Sequence, residues 1–81
     1  MGAEGTGSFG TLLRRHRLAA GLTQQALADR AGLSVRGIAD LERGARRYPH
    51  LPTLRVLATA LELSPADRVT LVASGQRRIG D

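Results

Sequence analysis

The sequence predicts an all-α fold, a compact domain of five short helices. Apolar residues recur at i, i+3, i+4 and i+7 in successive segments, and no stretch alternates with the period of a strand. These segments are punctuated by helix signals, with Ser, Thr or Pro at their starts and glycine after several of their ends. The chain has 81 residues and no cysteine, so it holds one small domain that packing alone must stabilise.

The elements follow in order. Residues 1–7 contain three glycines and one alanine after the methionine, a composition that cannot offset the entropy of ordering, and are expected to form a flexible arm. The folded domain is expected over 8–74. Helix one, roughly 9–20, places Phe9, Leu12, Leu13 and His16 on one stripe, with Arg14, Arg15 and Arg17 between them. Gly21 supplies its left-handed stop. His16, on the apolar stripe, is read as a core-edge residue, and His50 has no evident partner.

Helix two starts at Gln24 behind the N-cap Thr23 and runs about two turns along Leu27, Ala28 and Ala31. Ala31, Gly32 and Leu33 make a tight turn, with the glycine where positive φ is needed. Ser34 caps helix three, about 34–43, in which Val35, Ile38 and Leu41 share a face until Gly44 ends it. The loop 45–51 carries Arg46, Arg47, Tyr48 and Pro49, the last two expected to pack the loop. Helix four, about 52–62, opens on Pro52 as its first residue and repeats Leu54, Leu57, Ala58 and Leu61. Ser64, Pro65 and Asp67 combine an N-cap, an N1 proline and an N3 acid, so helix five runs from there to about residue 73 or 74. Residues 75–81 are expected to form a frayed polar tail.

Composition narrows the function. A chain of this length buries only about 60% of its unfolded surface, so a deep substrate cavity would compete with the core. No nucleophile, acid pair or ligand cluster stands at useful spacing, and no enzyme, cofactor or metal is expected. The two histidines alone cannot close a zinc site. No membrane-length apolar run or secretion signal is present, and the chain reads as soluble and cytoplasmic. The formal charge is +5, and all twelve cationic side chains are arginine. Arginine is a planar fork suited to phosphate and to the O6/N7 edge of guanine, which points to nucleic acid. A GC-rich genome that writes arginine for lysine explains the composition equally well, so position has to decide.

The run Gly21 to Ala28, then Ala31 to Ser34, then Ile38, then Leu41-Glu42-Arg43-Gly44 resembles the phage-repressor and Cro-like helix-turn-helix family, over about residues 9–74. The resemblance implies a DNA-binding domain whose second and third helices form the helix-turn-helix. Ala28, Leu27, Ile38, Leu41 and Leu57 are then core residues. Helix three becomes the recognition helix, with base-contact candidates Arg36, Val35, Gly37 and Asp40. Arg36 suits a bidentate contact to guanine, which discriminates by about 1–3 kcal/mol. Val35 can meet a thymine methyl or tuck towards Leu33. Gly37, where the family often has a small polar residue, reads no base and allows close backbone approach. Asp40 either accepts from cytosine N4 or orients Arg36 or Arg43.

The resemblance further implies phosphate contacts from Thr23, Gln24, Ser34, Arg43, Gly44, Arg46 and Arg47, with Gly44 offering its own N–H. It pairs Arg17 with Glu42 as a structural ion pair between helices one and three. Arg14, Arg15, Arg30 and Arg55 are given no contact. Between Leu12 and Leu61 nine arginines face three acids, a local balance of +6, so the charge concentrates in this unit. On helix five, Ala66, Val69, Val72 and Ala73 are read as the buried side, leaving Leu71 exposed as a dimer candidate.

The implied function is a sequence-specific transcriptional regulator of bacterial or phage type, associated with the nucleoid when bound. Its expected partner is double-stranded DNA carrying a palindromic operator, occupied by a homodimer, with no small-molecule ligand evident. Two alternatives stay open: an N-terminal DNA-binding module of a larger regulator, and an antitoxin-like protein-interaction module acting through helix five.

Overall fold

The structure, a computed structural model, describes residues 8–76. Five helices follow one another: α1 Phe9–Ala19, α2 Gln24–Ala31, α3 Val35–Glu42, α4 Leu51–Ala60 and α5 Pro65–Ser74. There is no strand among the described residues, and the all-α, five-helix expectation holds. The arm expected over 1–7 and the tail from 77 to 81 lie outside the described residues.

Local chemistry explains where these helices start. The hydroxyls of Ser8, Thr23, Ser34 and Ser64 each accept a hydrogen bond from the backbone N–H three residues on, at 2.9 to 3.2 Å. Each bond satisfies one of the donors that a helix start leaves without a partner. α4 is the exception. It begins at Leu51 after His50, which makes no capping bond, and Pro52 is its second residue rather than its first.

The ends share one motif. After α1, Gly21 (φ +73°) donates to Leu18 O while Leu22 donates to Arg17 O. The same pair of bonds closes α2 at Gly32 (φ +70°), α3 at Gly44 (φ +82°) and α4 at Glu62 (φ +54°). Three of these left-handed positions hold glycine, and the fourth holds a glutamate.

The core is one cluster to which every helix contributes. Leu13, Leu27, Ala28, Ile38, Leu54, Leu57, Ala58 and Leu71 are fully buried, and Phe9, Leu12, Leu41 and Leu61 close its edges. Each large aliphatic adds about 1.5–3 kcal/mol. α3 packs against both α1 and α2, α4 against α2, and α5 against α4 and α1. α3 is therefore fixed along its inner side by two neighbours.

The expected face of α5 is corrected. Leu71 is fully buried, while Val69 is 67% exposed and Ala66 and Ala73 also face out. The stripe that turns inward is Arg68, Leu71, Val72 and Gly75. A leucine buries more surface than a valine or alanine, and a Cβ on buried Gly75 would collide with Leu54 and crowd Phe9. That glycine lets the end of α5 settle on α1 and α4, so it belongs to the packed domain and not to a frayed tail. Leu71 has no exposed surface to offer a second copy. In the α3–α4 loop Pro49 is buried, but Tyr48 is 53% exposed and does not pack the loop.

Candidate nucleic-acid interface

The site is built around an anchor for α3. Glu42, its last residue, has a side chain only 5% exposed and faces Arg17 of α1, 10% exposed. Arg17 donates Nε to Oε2 at 2.6 Å and Nη2 to Oε1 at 3.0 Å, a two-point charge-assisted pair. Its remaining Nη1 donates to Leu22 O at 2.9 Å, in the loop that leads to α2. The hydrogen bond with Glu42 raises the Arg17 pKa against the opposing effect of burial, so Arg17 keeps its charge. Among the described residues no buried side-chain polar atom lacks a partner.

Gln24, the first residue of α2, joins this hub. Its Nε2 donates to Glu42 Oε1 at 3.1 Å. One amide hydrogen of this half-buried residue is thereby committed to Glu42, and the other has no acceptor among the described residues. Beside it, Thr23 Oγ1 accepts from Ala26, which leaves its own O–H free to donate. The N–H groups of Gln24 and Gln25 have no intrahelical acceptor.

Gly10 supplies a second anchor, two turns before Arg17 on the same face of α1. A Cβ there would come within 2.5 Å of Leu41 O and 2.6 Å of Glu42 O. α1 therefore touches the carbonyl end of α3 with bare backbone. Sequence reasoning missed both Gly10 and the Gln24–Glu42 bond. A glycine inside a strongly periodic helix was the available signal for the first; nothing local announces the second.

The outer side of α3 is open at its start. Ile38 and Leu41 are buried, whereas Val35 is 40% exposed and Arg36 is exposed. Val35 thus does not tuck fully towards Leu33. Ser34 Oγ accepts from Gly37 and retains its O–H, and Val35 and Arg36 have no intrahelical acceptor for their N–H groups. A Cβ on Gly37 would meet only Ser34 Oγ, at 3.1 Å, so this stretch of backbone is approachable from outside.

At the other end of α3, Asp40 holds Arg43 through Nη2 at 2.6 Å and Nε at 3.2 Å. That hydrogen bond, helped by the charges of Arg43, Arg36 and Arg46, lowers the Asp40 pKa from its ordinary 3.8. The Asp40 carbonyl accepts from the N–H groups of Ala45 and Arg46 and so shapes the turn. Gly44 donates its own N–H to Leu41 O at 3.3 Å, which corrects the expectation of a free donor there. Its contribution is its left-handed backbone. Arg43, Arg46 and Arg47 line one open groove of about 600 Å³ together with Tyr48 and the start of α1.

Two helices joined by a three-residue turn, the second anchored at its end and open at its start, are the geometry of a helix-turn-helix. The family model described as "Helix-turn-helix domain" matches residues 8–71. The chain belongs to this family. Comparison with curated proteins and with solved structures gives no match. Within the helix-turn-helix, α2 and α3 are the two named helices, and the Arg17–Glu42 pair ties the second of them to α1. Among the described residues no helix is long and apolar enough to cross a membrane.

Proposed function

We propose that this helix-turn-helix protein is a sequence-specific transcriptional regulator that reads double-stranded DNA with α3 in the major groove. The observation that carries the reading is the division of α3. Its inner face is fixed by Ile38, Leu41 and the Glu42 hub, while Ser34, Val35 and Arg36 are exposed at its N-terminal end, with half-buried Gly37 behind them. Recognition helices of this kind present that end to base edges.

In this reading Arg36 grips guanine O6 and N7, Val35 meets a thymine methyl, and Gly37 lets the backbone come close. Asp40 faces the next turn of bases. The second amide hydrogen of Gln24 and the hydroxyls of Thr23 and Ser34 hold phosphates, aided by the free N–H groups at the two helix starts. Arg46 and Arg47 grip the strand further along, and Arg43 joins them when it leaves Asp40. The protein works by occupancy, as a cytoplasmic homodimer on a palindromic operator, with recognition helices about 34–36 Å apart. It carries out no chemistry of its own.

Counterion release gives the test. About four to six phosphate contacts per protomer make log K fall with log salt at a slope near −4 to −5 for each protomer bound. Fluorescence anisotropy with a labelled duplex over a range of salt measures it. A flat dependence, or no binding, contradicts the proposal.

A further inference from the structure

An anion at the centre of a cationic reading surface needs an explanation. Asp40 lies one helical turn from Arg36 on one side and from Arg43 on the other, so the three share a face of α3. Both bonds from Arg43 end on a single oxygen, Oδ1. Among the described residues no donor reaches Oδ2. The Asp40 side chain is 25% exposed and that of Arg43 is 68% exposed, so the pair sits at the surface with one carboxylate oxygen uncommitted. The surrounding arginines keep the carboxylate ionised.

A fixed negative charge here acts in two ways on DNA. It repels the phosphates and every acceptor in the major groove, which are guanine N7 and O6, adenine N7 and thymine O4. It also keeps Arg43 on itself, withholding one cation from the backbone. Only the amino groups of cytosine and adenine give Oδ2 a donor.

We infer that Asp40 sets selectivity by exclusion: its carboxylate lowers the affinity of α3 for DNA in general and is compensated only where the facing base offers an amino hydrogen. The inference rests on the proposed function and assigns to Asp40 a role that is more than a base contact. On a correct site the amino group satisfies Oδ2 and Arg43 is released to a phosphate. On other sequences the repulsion stands and Arg43 stays home.

The test compares the full chain with Asp40→Asn, which keeps the shape, and Asp40→Ala, which removes every polar atom. Each is titrated by anisotropy against two duplexes, one of random sequence and one enriched by the wild-type chain from a random pool. Circular dichroism checks that helix content is retained, and the surface position of the side chain favours folding of both variants. Both are expected to bind the random duplex about fivefold to tenfold more tightly at low salt, with a salt slope steeper by about one. Affinity for the enriched duplex gains less, because the bond from the amino group to Oδ2 is lost in Asp40→Ala and weakened in Asp40→Asn, so the selectivity ratio falls at least severalfold. If neither variant gains on the random duplex, or both duplexes gain equally, Asp40 does not act by exclusion. Wild-type protein that binds neither duplex overturns the proposed function itself, a distinct outcome.

Discussion

Arg17 and Glu42 stand 25 positions apart in the chain and meet through two hydrogen bonds, of 2.6 and 3.0 Å, at a site almost closed to solvent. Truncating one partner strands the other as a buried charge, which costs about 3–5 kcal/mol. Glu42→Ala is therefore expected to lower the melting temperature by more than about 12 °C, taking about 4–8 °C per kcal/mol for a domain of this size. Thermal unfolding followed by circular dichroism reads this directly. A variant melting within a degree of wild type would show that the pair does not hold α3.

Gly10 predicts a second loss, of different origin. Alanine normally improves a helix interior by about 0.5–1 kcal/mol over glycine. Here its methyl would press on the carbonyls of Leu41 and Glu42 at 2.5 and 2.6 Å, so α1 and α3 must separate. Overpacking of this sort costs about 1–3 kcal/mol, and Gly10→Ala is expected to destabilise on balance in urea unfolding. Stabilisation would mean that the two helices are not in backbone contact.

Glu62 offers a gain. It occupies, at φ +54°, the left-handed position that glycine fills after α1, α2 and α3. A non-glycine residue there costs about 1–2 kcal/mol. Its ion pair with Arg30 spans 3.9 Å, with side chains 51% and 82% exposed, and contributes little. Glu62→Gly is expected to stabilise the domain by about 0.5–1 kcal/mol after the entropy of the unfolded glycine is counted. An unchanged or lower denaturation midpoint contradicts this.

The Asp40–Arg43 contact carries a pH dependence. Asp40 titrates below 3.8 because Arg43 binds its carboxylate. A depressed carboxyl pKa adds stability that is fully present above the unfolded value and is lost as pH falls through the folded one. An NMR titration of the Asp40 side chain should show a midpoint below 3.8 that moves up in Arg43→Ala. A midpoint insensitive to that substitution would mean that the two side chains do not meet in solution.

The parts of this molecule that depend on near neighbours were legible in the sequence. Ser34 and Ser64 cap the helices they precede, and Gly21, Gly32 and Gly44 take positive φ, because each is decided within a few residues. Arg17 and Glu42 could be paired only through the family resemblance, since nothing at either position points to the other. The face of α5 was misread because two stripes compete in it; which one turns inward depends on the room that Gly75 leaves for Leu54 and Phe9. Gln24 illustrates the same limit within the site. Its place at a helix start was readable, but the acceptor that orients its amide comes from α3.

In the proposed function the exposed N-terminal end of α3 reads DNA sequence. Selection of duplexes from a random pool by the wild-type chain, followed by sequencing, tests it most directly. The expected outcome is enrichment of a short motif containing guanine opposite Arg36, repeated as an inverted pair about one helical turn apart, and loss of that guanine preference in Arg36→Ala. A pool that stays random, or a motif unchanged by Arg36→Ala, contradicts it.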